Sequence, residues 1–321
     1  MEEILDSIKP VVENSKFVSI NENEINNFIN SINESEFEQT EFDNAPDLPT
    51  KKEGDYVGFS IVYNTINFCY WGEPKWTIER GGMVCDGSCA LTIAFIDALK
   101  EGYPLLDPKY LSTIPENDLK NILLGNIEIP LFIERLQMLR KLGNYMVEKF
   151  DGSWMNVIKK ADHNGVQLVK LLTSDFPDLY KDELLYKGRP VKFYKRAQLC
   201  ANYIDHDLSK TRVISFKLSD IDKLTAFADY KVPQVLRKFG ILEYTKELSE
   251  KIDNLVELES GSTEEIEIRA NTVEAINMIQ DKAKEIFSEA TPARIDGILW
   301  FRGQKKSPDD KPYHRTRTIW Y

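Results

Sequence analysis

The sequence predicts a mainly α protein, a compact multi-helix domain with a minor β element, and three observations carry that expectation. Apolar residues recur at helical spacing over long stretches, most plainly at Leu131, Ile133, Leu136, Leu139, Leu142 and Met146. Helix starts and stops are marked: Pro115-Glu116-Asn117-Asp118 places acidic residues where the helix dipole favours them, and Gly102 and Pro104 end an apolar run. Few stretches read as strands, and those are short.

In chain order, residues 3–12 and 22–32 read as short amphipathic helices. Residues 33–56 are largely acidic and contain Pro46 and Pro49, which predicts an irregular, solvated connection. The run 56–71, YVGFSIVYNTINFCYW, is apolar and aromatic almost throughout. Periodicity does not separate a buried helix from a buried strand there, and length favours the helix. Residues 75–84, with Gly81-Gly82, predict a short strand or hairpin, and 88–100 a buried helix. Further helices are expected from 115, over 130–150 and 157–172, and then at 194–208, 233–239, 245–255 and 263–287. The last stretch, 302–321, reads as a mostly extended basic tail. No repeat or Gly/Ser linker is visible, so the expected division is an acidic N-terminal segment, 1–55, packed on a body, 56–321.

A chain of 321 residues with 42% hydrophobic and 29% charged side chains suits a globular protein with a sizeable core. No apolar run approaches the ~20 residues that cross a bilayer. The start Met1-Glu2-Glu3 lacks the basic region of a secretory signal, so a cytoplasmic protein is expected. Cys69, Cys85, Cys89 and Cys200 are too few for a disulfide framework. No partner stands at zinc-ligand spacing from Cys85 and Cys89, so neither metal nor cofactor is expected.

The net charge of −11 is unevenly placed. Residues 1–55 hold 14 acidic and 4 basic side chains, and the remainder 38 and 37, so the body is nearly neutral. Such a body has no overall field for a long phosphate backbone, which argues against nucleic acid as the partner and leaves room for one local phosphate contact.

Three histidines, and the absence of a Gly-x-Ser-x-Gly elbow, Walker loop, GxGxxG turn or His-Glu-x-x-His helix, leave chemistry done by carboxylates with basic and aromatic help. Four strings place polar groups in apolar surroundings. Asn67-Phe68-Cys69-Tyr70-Trp71 suits a platform for a heterocyclic base, since stacking on aromatic rings contributes roughly 1–3 kcal/mol per base, or is simply an aromatic core helix. Phe193-Tyr194-Lys195-Arg196 could meet a phosphate at a helix start, or is a solvated basic patch. Asp229, in Phe227-Ala228-Asp229-Tyr230-Lys231-Val232-Pro233, is either a cap ahead of a Pro-initiated helix or a partly desolvated carboxylate of the kind that steadies an oxocarbenium-like transition state. Glu265-Ile266-Glu267-Ile268-Arg269 and the tail Tyr313-His314-Arg315 complete the set. The tail is either disordered or docked through Ile319-Trp320-Tyr321.

In this order the strings TINFCYW (65–71), FYKRAQ (193–198), FADYKVPQVL (227–236), EIEIRA (265–270) and HRTRTIWY (314–321) resemble the queuosine salvage family, the queuosine 5′-phosphate N-glycosylase/hydrolases. The resemblance spans residue 55 to the end of the chain. It implies a helical core similar to that of a helix-hairpin-helix DNA glycosylase, and hydrolysis of a small-molecule nucleotide to release queuine for reuse in transfer RNA. It places Asp229 on the catalytic aspartate, Lys195 in the nucleotide site, and Asn67, Phe68 and Trp71 at the base. Tyr194, Tyr230, Glu267, Arg269, His314 and Arg315 are carried over as substrate contacts. Ser88-Cys89 and Lys231 depart from the family pattern, which has Tyr-Trp and arginine there; the lysine keeps the charge and loses a bidentate fork.

The chemistry agrees. A 7-deazapurine lacks the N7 that ordinary purine hydrolases protonate, so assistance must come from the base edge and from charge beside the sugar. Two rivals remain at this stage: a helix-hairpin-helix nucleic-acid binding or repair protein, with its hairpin near 232–242, and a non-catalytic helical scaffold.

Overall fold

The structure, a computed structural model, describes residues 1–40, 47–305, 307, 308 and 310–321. The middle of the expected 33–56 connection, with Pro46, and two positions of the tail lie outside the described residues.

The chain begins with α1 (Glu2–Glu13), β1 (Val18–Ile20) and α2 (Asn23–Asn30), and then a 3-10 turn, Glu34–Glu38, where an irregular connection was expected. Asn33 and Glu36 cap that turn reciprocally, and Phe37 anchors it in the core. α3 (Glu53–Thr65) is buried all round from Tyr56 to Thr65, which explains its run of apolar residues without a polar face. The hairpin β2 (Thr77–Arg80) and β3 (Met83–Asp86) turns at Gly81-Gly82, whose φ of 58° and 79° suit glycine. It leads into α4 (Gly87–Lys100), α5 (Pro108–Ser112), α6 (Glu116–Ile122) and α7 (Phe132–Phe150).

The helix expected over 157–172 is two, α8 (Trp154–Lys160) and α9 (Gly165–Asp175), because Asp162 and His163 turn left-handed and Asn164 caps the second. α10 (Pro177–Tyr180) precedes a hairpin that the sequence did not reveal, β4 (Glu183–Tyr186) with β5 (Arg189–Lys192). α11 (Lys195–Asn202) then gives way to a π turn, Tyr203–Asp207.

α12 (Lys231–Lys238) carries Pro233 as its third residue, so proline does not initiate it. A turn at Gly240 and β6 (Leu242–Tyr244) follow, so residues 232–242 do not by themselves form a pair of helices. The chain ends with α13 (Lys246–Asp253), the long α14 (Thr263–Ala283) and α15 (Pro292–Gln304). The reading of a mainly α protein with a minor β element holds. Among the described residues no helix is long and apolar enough to cross a membrane.

α3 and α14 run through the middle of the core. The N-terminal segment is tied to the body by α1 on α14 and by β1, which pairs antiparallel with β6 through Val18↔Tyr244 and Ile20↔Leu242.

The helix expected to reach Trp71 stops at Thr65. Its last two carbonyls, and three of the irregular segment after it, which a longer helix would use internally, go instead to two buried guanidinium groups. Arg196 donates to Asn64 O (2.8 Å) and Thr65 O; Arg135, on α7, donates to Ile66 O, Phe68 O and Cys69 O (3.0 Å). Positive charge at a helix C-terminus is favourable. Cys69, at a φ of 41°, completes the irregular segment that carries Asn67, Phe68 and Trp71 into the interior.

Candidate active site

One cavity of about 430 Å³ lies between the 67–71 segment, the start of α4, the π turn, the 227–231 loop and α15. The 3-10 turn of the N-terminal segment adds Phe37 to the lining, and Gln39 follows just after it. Tyr313 and Tyr321 of the tail line it as well.

Asp229 lies on this wall and is 8% exposed. Its Oδ1 accepts from the backbone N–H of Lys231 (2.7 Å) and Val232 (3.0 Å). The two sequence readings therefore coexist: the carboxylate caps α12 and is also a desolvated group of the cavity. The loop before it is pinned repeatedly. Gln198 Oε1 accepts from Thr225 N–H (2.8 Å), Asp296 Oδ2 from Phe227 N–H (2.8 Å), and Arg269 Nε donates to Ala228 O (3.1 Å).

Asp296, on α15, is a second carboxylate of the same cavity. Burial, and then the charge of Asp229, push its pKa up to about 8; the Phe227 N–H and Lys195 pull the other way. It thus carries a proton at neutral pH beside a second carboxyl group, an arrangement that separates an acid from a base.

The shift carries a sign for stability. The folded pKa is raised from 3.8, so the native state holds a proton that the unfolded state has released between pH 4 and pH 8. Stability contributed by the protonated group falls as pH rises through that window. Asp296→Asn is expected to flatten the decline, measured as Tm against pH from 5 to 9; an unchanged slope would show that Asp296 does not titrate there.

Lys195, 7% exposed at the start of α11, also lines the cavity and faces Asp296. Phe68 and Trp71 line it as well, although they are only 1% and 2% exposed. The guanidinium carbons of Arg135 and Arg196 lie 4.3 and 5.2 Å from the centre of the Phe68 ring. Asn67 is oriented by Tyr70, whose hydroxyl donates to its Oδ1 (2.9 Å). Tyr230 packs its ring 4.8 Å from that of Tyr313.

A family model for queuosine salvage proteins matches residues 47–321. The chain belongs to the queuosine salvage family. It is 39% identical over 265 residues to a queuosine 5′-phosphate N-glycosylase/hydrolase of Sphaerobacter thermophilus, covering 83% of this chain and 81% of that one. It is 33% identical over 280 residues to the protein of that name from Bos taurus, again 83% and 81%. The protein of that name from Schizosaccharomyces pombe is 27% identical over 301 residues, with 85% of each chain covered.

The structure brings Asn67, Phe68, Trp71, Lys195, Asp229 and Tyr230 to the cavity. The other five expected contacts are absent from its lining. Tyr194 donates its hydroxyl to Glu183. Glu267 is fully buried and accepts from Lys16 N–H (2.8 Å), Phe17 N–H (2.7 Å) and Tyr186 OH (3.0 Å), fastening the N-terminal segment to α14. Arg269 forms a bidentate pair with Asp182 (3.1 and 2.6 Å), and its guanidinium carbon lies 3.9 Å from the Phe193 ring centre and 4.4 Å from that of Tyr321.

His314 is buried within reach of Tyr321 OH (3.3 Å), and burial lowers its pKa to about 3, so it is neutral. Arg315 pairs with Glu73 (2.6 Å). The tail is docked rather than loose: Cys69 N–H donates to Tyr321 O (2.9 Å), and Tyr321 OH to Glu265 (2.9 Å).

Asp296, Asp182 and Arg135 escaped the sequence reading. α15 had a usable signal, Thr291-Pro292 as cap and first turn followed by Ile295, Ile298 and Leu299. Asp182 and Arg135 carry no local pattern at all.

Proposed function

We propose that this chain hydrolyses the N-glycosidic bond of queuosine 5′-phosphate, releasing queuine and ribose 5-phosphate. The observation that carries the reading is the pair Asp229 and Asp296 on one cavity wall, in a chain whose relatives bear the name of that activity.

The bond from C1′ to the base nitrogen breaks and a bond from C1′ to water oxygen forms. One proton of water goes to the departing base. Asp229 lies against the sugar, where its fixed negative charge steadies the cationic C1′ as nucleophile or electrostatic partner. Its two backbone N–H contacts fix its direction before substrate arrives, so no reorganisation is needed during the reaction.

Asp296, protonated, donates to the base edge as negative charge grows there, which replaces the help that N7 gives in ordinary purines. Lys195 balances the two carboxyl groups. Phe68 and Trp71 flank the flat ring and Asn67 presents its amide.

Incubation with queuosine 5′-phosphate should yield free queuine by mass spectrometry, with guanosine 5′-monophosphate left intact. No queuine under conditions where the folded protein binds the nucleotide would overturn the reading.

A further inference from the structure

Two walls of the cavity come from distant parts of the chain. The 67–71 segment presents Asn67, Phe68 and Trp71, and the 227–231 loop presents Asp229. Each is tied to a helix behind it. Arg135 of α7 holds the carbonyls of Ile66, Phe68 and Cys69, and Arg269 of α14 holds Ala228 O.

Tyr321 reaches both walls. It is 1% exposed and lines the cavity. Its carbonyl accepts from Cys69 N–H (2.9 Å), in the middle of the first wall. Its ring centre lies 6.4 Å from that of Tyr230, the residue after Asp229, and 4.4 Å from the guanidinium carbon of Arg269. Its hydroxyl donates to Glu265 Oε1 (2.9 Å), and the other oxygen of that buried carboxyl group accepts from Gly261 N–H (2.6 Å).

The residues just before Tyr321 grip the first wall as well. The Cys69 thiol faces the backbone of Thr318. The guanidinium carbons of Arg317 and Arg315 lie 4.7 and 5.8 Å from the centre of the Trp71 ring. Glu257 (3.3 Å) and Glu73 (2.6 Å) hold those two arginines in turn. Cys69 has a φ of 41°, and a non-glycine residue keeps such a backbone only where its surroundings fix it. The fixing groups are α7 on the carbonyl side and the tail on the amide side.

Building on the proposed hydrolysis, we infer that Tyr321 is a positioning residue, which registers the base grip of the 67–71 segment against Asp229 through its carbonyl on Cys69 and its hydroxyl on Glu265. It takes no chemical step itself. Register matters because a displacement of about 1 Å costs about 10²-fold in rate.

The test measures kcat and KM for queuosine 5′-phosphate in wild type, Tyr321→Phe and Tyr321→Ala, together with alkylation by iodoacetamide mapped to each cysteine by mass. Cys69 and Cys200 are both fully buried. Cys69 reads release of the first wall, and Cys200, against Ser60 Oγ of α3 (3.5 Å), reads unfolding. Tyr321→Phe keeps the ring and loses the donor to Glu265; kcat should fall about tenfold with KM within about threefold. Tyr321→Ala should lower kcat about a hundredfold and speed alkylation of Cys69 about tenfold or more, with Cys200 still protected.

A side chain with a merely structural role would lower Tm and expose Cys69 and Cys200 together, with kcat of the folded fraction unchanged, and that result overturns the inference. So does Tyr321→Phe with the wild-type kcat, which decides alone should Tyr321→Ala unfold. If wild type releases no queuine, the proposed hydrolysis fails and alkylation still tests the link. Cys69 freed alone in Tyr321→Ala supports the hold of the tail on the segment, and Cys69 protected at the wild-type rate overturns it.

Discussion

Asp229→Asn is expected to lower kcat for queuosine 5′-phosphate by about 10³-fold or more while substrate still binds. The size follows from the loss of a fixed negative charge beside the developing cation; even one neutral donor of this kind is worth about 10²–10³ in rate. The substitution is a clean one because of the local geometry. An asparagine Oδ1 can still accept from Lys231 N–H and Val232 N–H, so the cap on α12 survives. Asp229→Ala removes the cap as well, at a cost of about 1 kcal/mol, and a comparison of Tm for the two variants separates the capping role from the chemical one. Near-normal queuine release by Asp229→Asn, with nucleotide binding retained, would exclude Asp229 from the reaction.

The helical class was legible in the spacing of Leu136, Leu139, Leu142 and Met146, and in the marked ends of α4 and α6. Those signals are local, and local signals survive in one sequence. The end of α3 was not legible, because Thr65 is followed by residues as apolar as those before it. Arg196 takes the last two carbonyls of the helix, and Arg135, about 70 residues away along the chain, takes those of Ile66, Phe68 and Cys69 just beyond it.

The same division runs through the site. Asp229, Lys195, Asn67, Phe68, Trp71 and Tyr230 could be named because each sits in a recognisable string. Asp296 could not, although it shares the cavity with Asp229, because a carboxylate on a helix gives no sign of which wall it will face. In the strings around Arg269 and His314 the residues resemble those of the family, and the structure buries Glu267, Arg269 and His314 outside the lining of the cavity. Three donors converge on Glu267, from Lys16, Phe17 and Tyr186, none of which lines the cavity.

The largest stability effect is expected at Arg269. Its side chain is fully buried, paired in bidentate fashion with Asp182 and 3.6 Å from Glu265, whose carboxyl groups are 2% and 1% exposed. Arg269→Met leaves two carboxylates in the core without their cation, and breaking a buried pair in this way costs about 3–5 kcal/mol. In a chain of this size that corresponds to a drop in Tm on the order of 10 °C. Without the guanidinium the buried carboxyl groups bind protons more tightly than in the unfolded chain, so the loss should be largest above neutral pH and shrink toward pH 5. Asp182→Leu added to Arg269→Met should recover part of the Tm, since it removes one stranded charge. Because Arg269 Nε also holds Ala228 O, directly before Asp229, the single variant should lose kcat below its unfolding temperature while KM changes less. A variant with wild-type Tm at pH 8 would show that the pair is not a working part of the core.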